Sequence, residues 1–92
     1  KFVLDNSIKN VMKEKQYKNI IISQKVAAVD QAYAEVSAKF SKTGVASPYK
    51  EYEVDGFSIY VDPDIPFTKE IVTLKYEKML IFDRIIIDGA PI

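Results

Sequence analysis

The stretch that decides the fold is YKEYEVDGFSIYVDP, residues 49–63. In it, two segments of alternating apolar and polar residues flank Asp55 and Gly56, and Asp-Gly is typical of the type I′ turn that joins hairpin strands. In the second segment, one predicted face carries Phe57, Ile59 and Val61, and the other carries Ser58 and Tyr60. The pattern predicts an antiparallel hairpin, which ends at Pro63 and Pro66 because proline cannot donate to a strand ladder.

The remainder of the C-terminal half also has the composition of strands. Residues 70–76 alternate between two faces and are rich in β-branched residues. We predict a turn near Glu77 and Lys78 that leads into a further strand or bulged strand pair, made of the apolar residues 79–82 and residues 85–88 with Asp83 and Arg84 between them. The whole C-terminal half is therefore predicted to be a β-meander without a helix.

The N-terminal third predicts a short extended entry, one helix and one buried strand. Three preferred N-cap residues occupy positions 5–7, and we place the helix at residues 6–16. Its apolar residues at helical spacing are Ile8, Val11 and Met12. Residues 19–23, Asn-Ile-Ile-Ile-Ser, form a β-branched run, which predicts a central strand buried on both faces.

Two periodicities compete in residues 26–42. A helix is predicted by the three- and four-residue spacing of Val26, Val29, Tyr33, Val36 and Phe40. A strand is predicted by the strict alternation of Ala34, Val36, Ala38 and Phe40 with polar or aromatic residues. Local propensity favours the helix, because this segment also contains five alanines, but the strand stays open as the alternative.

The composition excludes several classes of function. The 92 residues contain no cysteine and no histidine, the side chains most often used as nucleophiles, neutral-pH proton carriers and transition-metal ligands. Thirteen basic residues balance thirteen acidic ones, and Arg84 is the one arginine, so nucleic-acid binding is not expected. No apolar run approaches the roughly 20 residues of a membrane span. We expect a cytoplasmic protein, while the start at Lys1 leaves a processed upstream segment open.

Carboxylates and tyrosines are the remaining candidates for chemistry. Asp62 and Asp64 flank Pro63, and Asp55 lies at the hairpin turn, so together they could hold a hard cation or support hydrolysis. Asp-Pro-Asp is also an ordinary turn former, which is the interpretation we favour. The tyrosines of the predicted sheet are Tyr49, Tyr52, Tyr60 and Tyr76, for which cross-strand packing is favoured over an aromatic binding patch.

Residues 49–63, with residues 71–74 and LIFDRIIIDG at 80–89, resemble the C-terminal half of HesB-like domains, the A-type iron–sulfur carriers. The resemblance is strongest to a small divergent branch whose loop carries paired cysteines or a selenocysteine. It implies that residues 19–25 and 33–40 are both strands, on either side of the ligand loop. Under this resemblance, residues 26–42 are mainly strand, against their local helical propensity.

The chain departs from that family at the ligand loop. The loop corresponds to residues 28–32, AVDQA, which contain no thiol and no selenocysteine, and Asp30 is its one polar candidate near the equivalent position. Iron–sulfur clusters require soft thiolate ligands, so no ligand residue can be carried over to this chain.

The predicted fold is α+β and mostly β, a single domain over residues 1–92 with an N-terminal helix on an antiparallel β-sandwich or partly closed barrel. The alternative is an α+β domain with two helices and a β-meander. With the thiols missing, the resemblance implies a non-catalytic HesB-like protein that binds a partner of the iron–sulfur cluster-assembly system or a small ligand. We expect no cofactor, catalytic residue or metal ligand. The alternatives are a hard-cation or hydrolytic site at Asp62 and Asp64, and a homodimerisation module.

Overall fold

The computed structural model describes residues 1–26 and 34–90. The elements in chain order are β1 (Phe2–Leu4), α1 (Asn6–Lys15), β2 (Asn19–Val26), β3 (Ala34–Ser41), β4 (Lys50–Val54), β5 (Phe57–Val61), β6 (Val72–Lys78) and β7 (Asp83–Asp88). The predicted ligand-loop segment, residues 28–32 with Asp30, lies outside the described residues, as does Tyr33. Within the described ranges, no helix is long and apolar enough to cross a membrane.

The strands form two sheets, each with parallel and antiparallel pairs. The smaller sheet has the order β1-β6-β7, and the larger has the order β3-β2-β5-β4. The edge strands β7 and β3 contact each other on one side of the molecule, and β1 and β4 do so on the other. No ladder closes either side over the described residues, so the two sheets do not form a closed barrel. The predicted mostly-β α+β class is confirmed, with the refinement that the pairing is mixed.

The hydrophobic core joins the helix to both sheets. Side chains with no measurable exposure come from α1, β2, β5 and β6: Ile8, Met12, Ile20, Ile22, Ile59 and Leu74. The predicted face of β5 is confirmed, because Phe57, Ile59 and Val61 are buried and the residues between them are not. The prediction of a central strand is confirmed as well, since β2 lies between β3 and β5 and three consecutive isoleucines in it are buried.

The helix that local propensity favoured is wrong for residues 34–41, which form strand β3. Residues 27–33 of that predicted helix lie outside the described residues. Strand β3 pairs with β2 along its whole length, from Asn19 opposite Ser41 to Val26 opposite Ala34. Val36, Ala38 and Phe40 pack against the core from alternate positions. Long-range pairing and one-sided burial therefore override the helical propensity, as the resemblance to HesB-like domains implied.

The β-meander predicted for the C-terminal half is also wrong. Although β4 and β5 form the predicted hairpin, the chain then passes to the other sheet, where β6 pairs in parallel with β1. Asp55 and Gly56 both have positive φ, 52° and 85°, as the type I′ turn requires. The predicted turn near Glu77 and Lys78 is displaced as well, because both residues belong to β6.

The junction between β1 and α1 ties the helix to β6. Asp5 caps α1 by accepting a hydrogen bond from the backbone N–H of Ser7 at 3.0 Å. The Ser7 hydroxyl in turn accepts from the Tyr76 N–H at 3.1 Å, and the Asp5 N–H donates to the Leu74 carbonyl at 2.9 Å. The hydrogen bonds from Ser7 hold the pKa of the Asp5 carboxyl below its ordinary value of 3.8.

This junction predicts a pH dependence of stability. Because folding lowers the pKa of Asp5, its contribution is present above pH 3.8 and is lost as the pH falls through the folded pKa. Asp5→Asn should keep the cap but make the free energy of unfolding depend less on pH in the acid range, measured by urea unfolding at a series of pH values. Ser7→Ala should lower the free energy of unfolding at neutral pH and reduce the same pH dependence. An Asp5→Asn curve as steep as that of the unmodified protein would contradict this account.

Candidate functional site

The carboxylates singled out in the sequence do not come together as a metal site. Asp64 donates its backbone N–H to the Asp62 side chain at 2.9 Å, which forms an ordinary turn. Asp55 forms an ion pair with Lys9 at 3.2 Å, which fastens the hairpin turn to α1. Over the described residues, no group of three or more acidic, histidine or cysteine side chains could hold a metal ion.

Three of the four tyrosines, Tyr52, Tyr60 and Tyr76, lie at separate places instead of forming one patch. Tyr52 pairs across the ladder with Ile59, whereas Tyr60 pairs with Glu51, so these two rings lie on opposite faces of the larger sheet. The Tyr52 ring packs on Phe2 with centroids 5.1 Å apart. Tyr76 belongs to the smaller sheet, and its ring centroid lies 6.0 Å from that of Phe40. Packing with neighbouring aromatic rings thus accounts for Tyr52 and Tyr76.

The most exposed apolar surface of the described residues is the turn between β6 and β7, residues 79–82, which we call the apolar tip. Leu80 and Ile81 are 104% and 92% exposed, and Phe82 and Met79 are 56% and 41% exposed. Single exposed apolar residues are normal on protein surfaces, but four in succession are not. A surface of this kind is typical of a site that binds another molecule.

Polar contacts at its base hold the apolar tip in shape. The Met79 N–H donates to the Phe82 carbonyl at 2.7 Å, which closes the turn. Arg84 donates from two nitrogens to one carboxylate oxygen of Glu77, at 3.1 and 3.2 Å. The Tyr76 hydroxyl donates to Asp83, and this hydrogen bond is the main reason that the pKa of Tyr76 is raised to about 12. These contacts, which we call the brace, join β6 to β7 at the base of the tip.

Sequence reasoning assigned residues 79–82 to the start of a strand and so missed the apolar tip. A signal for it was present in the charges on either side. Glu77 faces Arg84 and Lys78 faces Asp83 in the observed register, so opposite charges pair across the hairpin. The order Glu-Lys, four apolar residues, Asp-Arg is the arrangement expected when the turn lies between the charged pairs.

The electrostatic surroundings of the apolar tip are neutral. The two flanking dipeptides contribute two acidic and two basic residues. Lysine-rich surroundings would favour an anionic surface, but here the two signs cancel. The apolar tip is therefore flanked by charged residues that carry no net charge together.

A comparison with protein-family models matches residues 1–90 to the CC/Se motif containing family. No curated protein and no solved structure matches the chain. The matched family is described by a cysteine or selenocysteine motif, which the 92-residue sequence lacks. The match does not test the relation to HesB-like domains, which stays a prediction. Since the match covers nearly the whole length, the chain belongs to the CC/Se motif containing family.

Proposed function

We propose that this chain is a non-catalytic binding member of its family, which docks a protein partner through the apolar tip. The observation that carries the proposal is the almost complete exposure of Leu80 and Ile81 on a braced hairpin. Apolar side chains that are exposed in the free protein gain about 25 cal/mol for each Å² of surface buried on docking. Large apolar side chains held in a fixed geometry are suited to filling a pocket on a partner.

The missing cysteines support a binding role over a chemical one. The family is described by a CC/Se motif, yet this sequence contains neither cysteine nor selenocysteine. Thiolate and selenolate groups are strong nucleophiles and soft anionic metal ligands, and this sequence contains no side chain of that kind. From the resemblance to HesB-like domains, we expect the partner to be a component of iron–sulfur cluster assembly that supplies the thiols itself.

The charges around the apolar tip favour a protein partner over a membrane surface. Peripheral membrane-binding segments combine apolar residues with an excess of lysine and arginine that anionic lipids attract. The pairs Glu77 with Arg84 and Lys78 with Asp83 leave no such excess. A protein pocket needs only apolar complementarity at its centre and polar groups at its rim, which the tip and its charged base provide.

The edges of the sheets are less suited to docking than the tip. The outer strand β4 carries Lys50, Glu51 and Glu53, and charged residues on an edge strand oppose pairing with another strand. The edges β7 and β1 lie against β3 and β4 of the other sheet. Homodimerisation through an edge strand is therefore the weaker alternative, and self-association through the tip is an outcome that the binding experiment distinguishes.

We predict that polar substitution at the tip abolishes tight partner binding without unfolding the protein. A photocrosslinking amino acid at position 82 should attach one protein from the source cell, which is then purified and titrated by calorimetry. Leu80→Ser with Ile81→Ser should weaken its binding by about 30-fold or more, since the loss of even one buried anchor residue costs about 2 kcal/mol or more. The melting temperature should stay the same or rise, because both side chains are exposed.

Ile71→Ser provides the matched control, because it makes the same change at an apolar residue that is 57% exposed and lies in the β5–β6 connection, outside the tip. Binding by this control should equal that of the unmodified chain. Crosslinks to a second copy of the chain would replace the proposal with homodimerisation. Co-sedimentation with lipid vesicles that depends on Leu80 and Ile81 would replace it with membrane binding, and equal affinity of the Leu80→Ser, Ile81→Ser variant would refute the tip as the docking point.

The bracing of the tip predicts a shift in one tyrosine titration. Spectrophotometric titration should show a phenol ionising near pH 12 that is lost in Tyr76→Phe. In Asp83→Ala the pKa of Tyr76 should fall toward its ordinary value of 10.0, because the hydrogen bond that favours the neutral phenol is removed. Since folding raises the pKa of Tyr76, the hydrogen bond to Asp83 stabilises the folded state below pH 10.0, and this contribution is lost as the pH rises through about 12. An unchanged titration in Asp83→Ala would show that the brace does not form.

A further inference from the structure

We propose that a cleft near the start of β6, at the opposite end of this strand from the apolar tip, binds a small amphipathic anion. Such a ligand is a carboxylate attached to an aromatic or short apolar body. The cleft has a volume of about 370 Å³ and lies between β1, the edge strand β4 and the connection that follows β5. This proposal does not depend on the apolar tip, which contributes no residue to the cleft.

Three aromatic rings contribute to the apolar lining of the cleft. Phe2 lies between the other two, with its centroid 5.1 Å from Tyr52 and 5.5 Å from Phe67. The Phe2 and Phe67 rings meet edge to face, and Ile65 beside them is 6% exposed. Tyr52 keeps 41% of its surface exposed despite its contact with Phe2. A planar or apolar body placed in the cleft would cover the exposed part of Tyr52 and gain contact with the aromatic group.

The charged residues that line the cleft are mostly lysines. Lys1, Lys50 and Lys69 line it together with a single acidic residue, Asp62. None of the three lysines forms a salt bridge with another described residue. One oxygen of Asp62 already accepts the Asp64 N–H at 2.9 Å. The excess of ammonium groups over carboxylates favours an anionic group on the ligand.

The strand register explains how a lysine and an aromatic ring come to lie side by side. Lys50 and Tyr52 are two positions apart on β4, so both point to the face that carries Val61 and Ile59 on β5. Glu51 points to the other face, where it accepts a hydrogen bond from Ser58 at 2.8 Å. The alternation therefore separates the acidic neighbour from the cleft and places the basic one in it.

The size of the cleft limits the ligand to a small molecule. Small-molecule sites occupy roughly 300–1,000 Å³, and this cleft falls at the lower end of that range. One fused ring system or a short alkyl chain fills such a volume, with its carboxylate at the lysines. The prolines at positions 63 and 66 restrict the backbone on one wall, which reduces the entropy lost when a ligand binds.

The test uses 2-naphthoate as the probe and naphthalene-2-methanol as its uncharged counterpart. Titration of the ¹⁵N-labelled chain with 2-naphthoate should shift the amide signals of Phe2, Tyr52 and Phe67 in a saturable way. Lys50→Gln with Lys69→Gln should weaken 2-naphthoate binding by about tenfold or more, because each change removes an ammonium group that can donate a charge-assisted hydrogen bond to the carboxylate. The alcohol should bind the unmodified chain about as weakly as 2-naphthoate binds this variant.

Lys39→Gln, at an exposed position on β3, is the matched control and should bind 2-naphthoate like the unmodified chain. Equal binding of the alcohol and the carboxylate would overturn the anion requirement. Shifts confined to residues 79–82, or no saturable shift, would overturn the site. If Lys50 only protects the edge strand, Lys50→Gln would promote self-association at unchanged 2-naphthoate affinity, and this result would also overturn the proposal.

Discussion

The parallel pairing of β1 with β6 is the constraint on which the rest of the structure depends. It places Phe2 beside Val72 and Leu4 beside Leu74, so the two ends of the chain build one sheet. The hydrogen bonds of Asp5 and Ser7 with β6 continue this contact into the helix. Because β6 is committed to β1, the chain must leave the larger sheet after β5, and the β6–β7 hairpin extends from the end of the smaller sheet with its apolar tip exposed.

The same pairing separates the two candidate binding surfaces. Near the start of β6, the parallel partner β1 brings Phe2 next to Tyr52 of the larger sheet, which forms the aromatic part of the cleft. Near the end of β6, the charged pairs and Tyr76 brace the apolar tip. One strand thus supports a lysine-lined cleft at one end and an uncharged apolar projection at the other. The two proposed binding surfaces therefore lie at opposite ends of the same strand.

Much of the fold could be predicted from the sequence because its signals were local. The N-cap at Asp5, the Asp-Gly turn and the buried isoleucines of β2 each specify their own element. Two features depend on distant partners. Local propensity favoured a helix where β3 forms by pairing with β2, and only the family resemblance implied that strand; β6 leaves the predicted meander by pairing with β1.

The candidate sites were harder to predict than the fold. The apolar tip resembles a strand in composition, and the flanking charges become a turn signal only once Glu77 is known to pair with Arg84. The cleft combines residues from three separate parts of the chain, so no contiguous motif marks it. The central claim is that the apolar tip is exposed on a braced hairpin. A soluble gadolinium chelate should strongly broaden the methyl signals of Leu80 and Ile81 while sparing Ile20 and Ile59, which have no exposed surface. Tip methyl groups as protected as those two isoleucines would contradict the account.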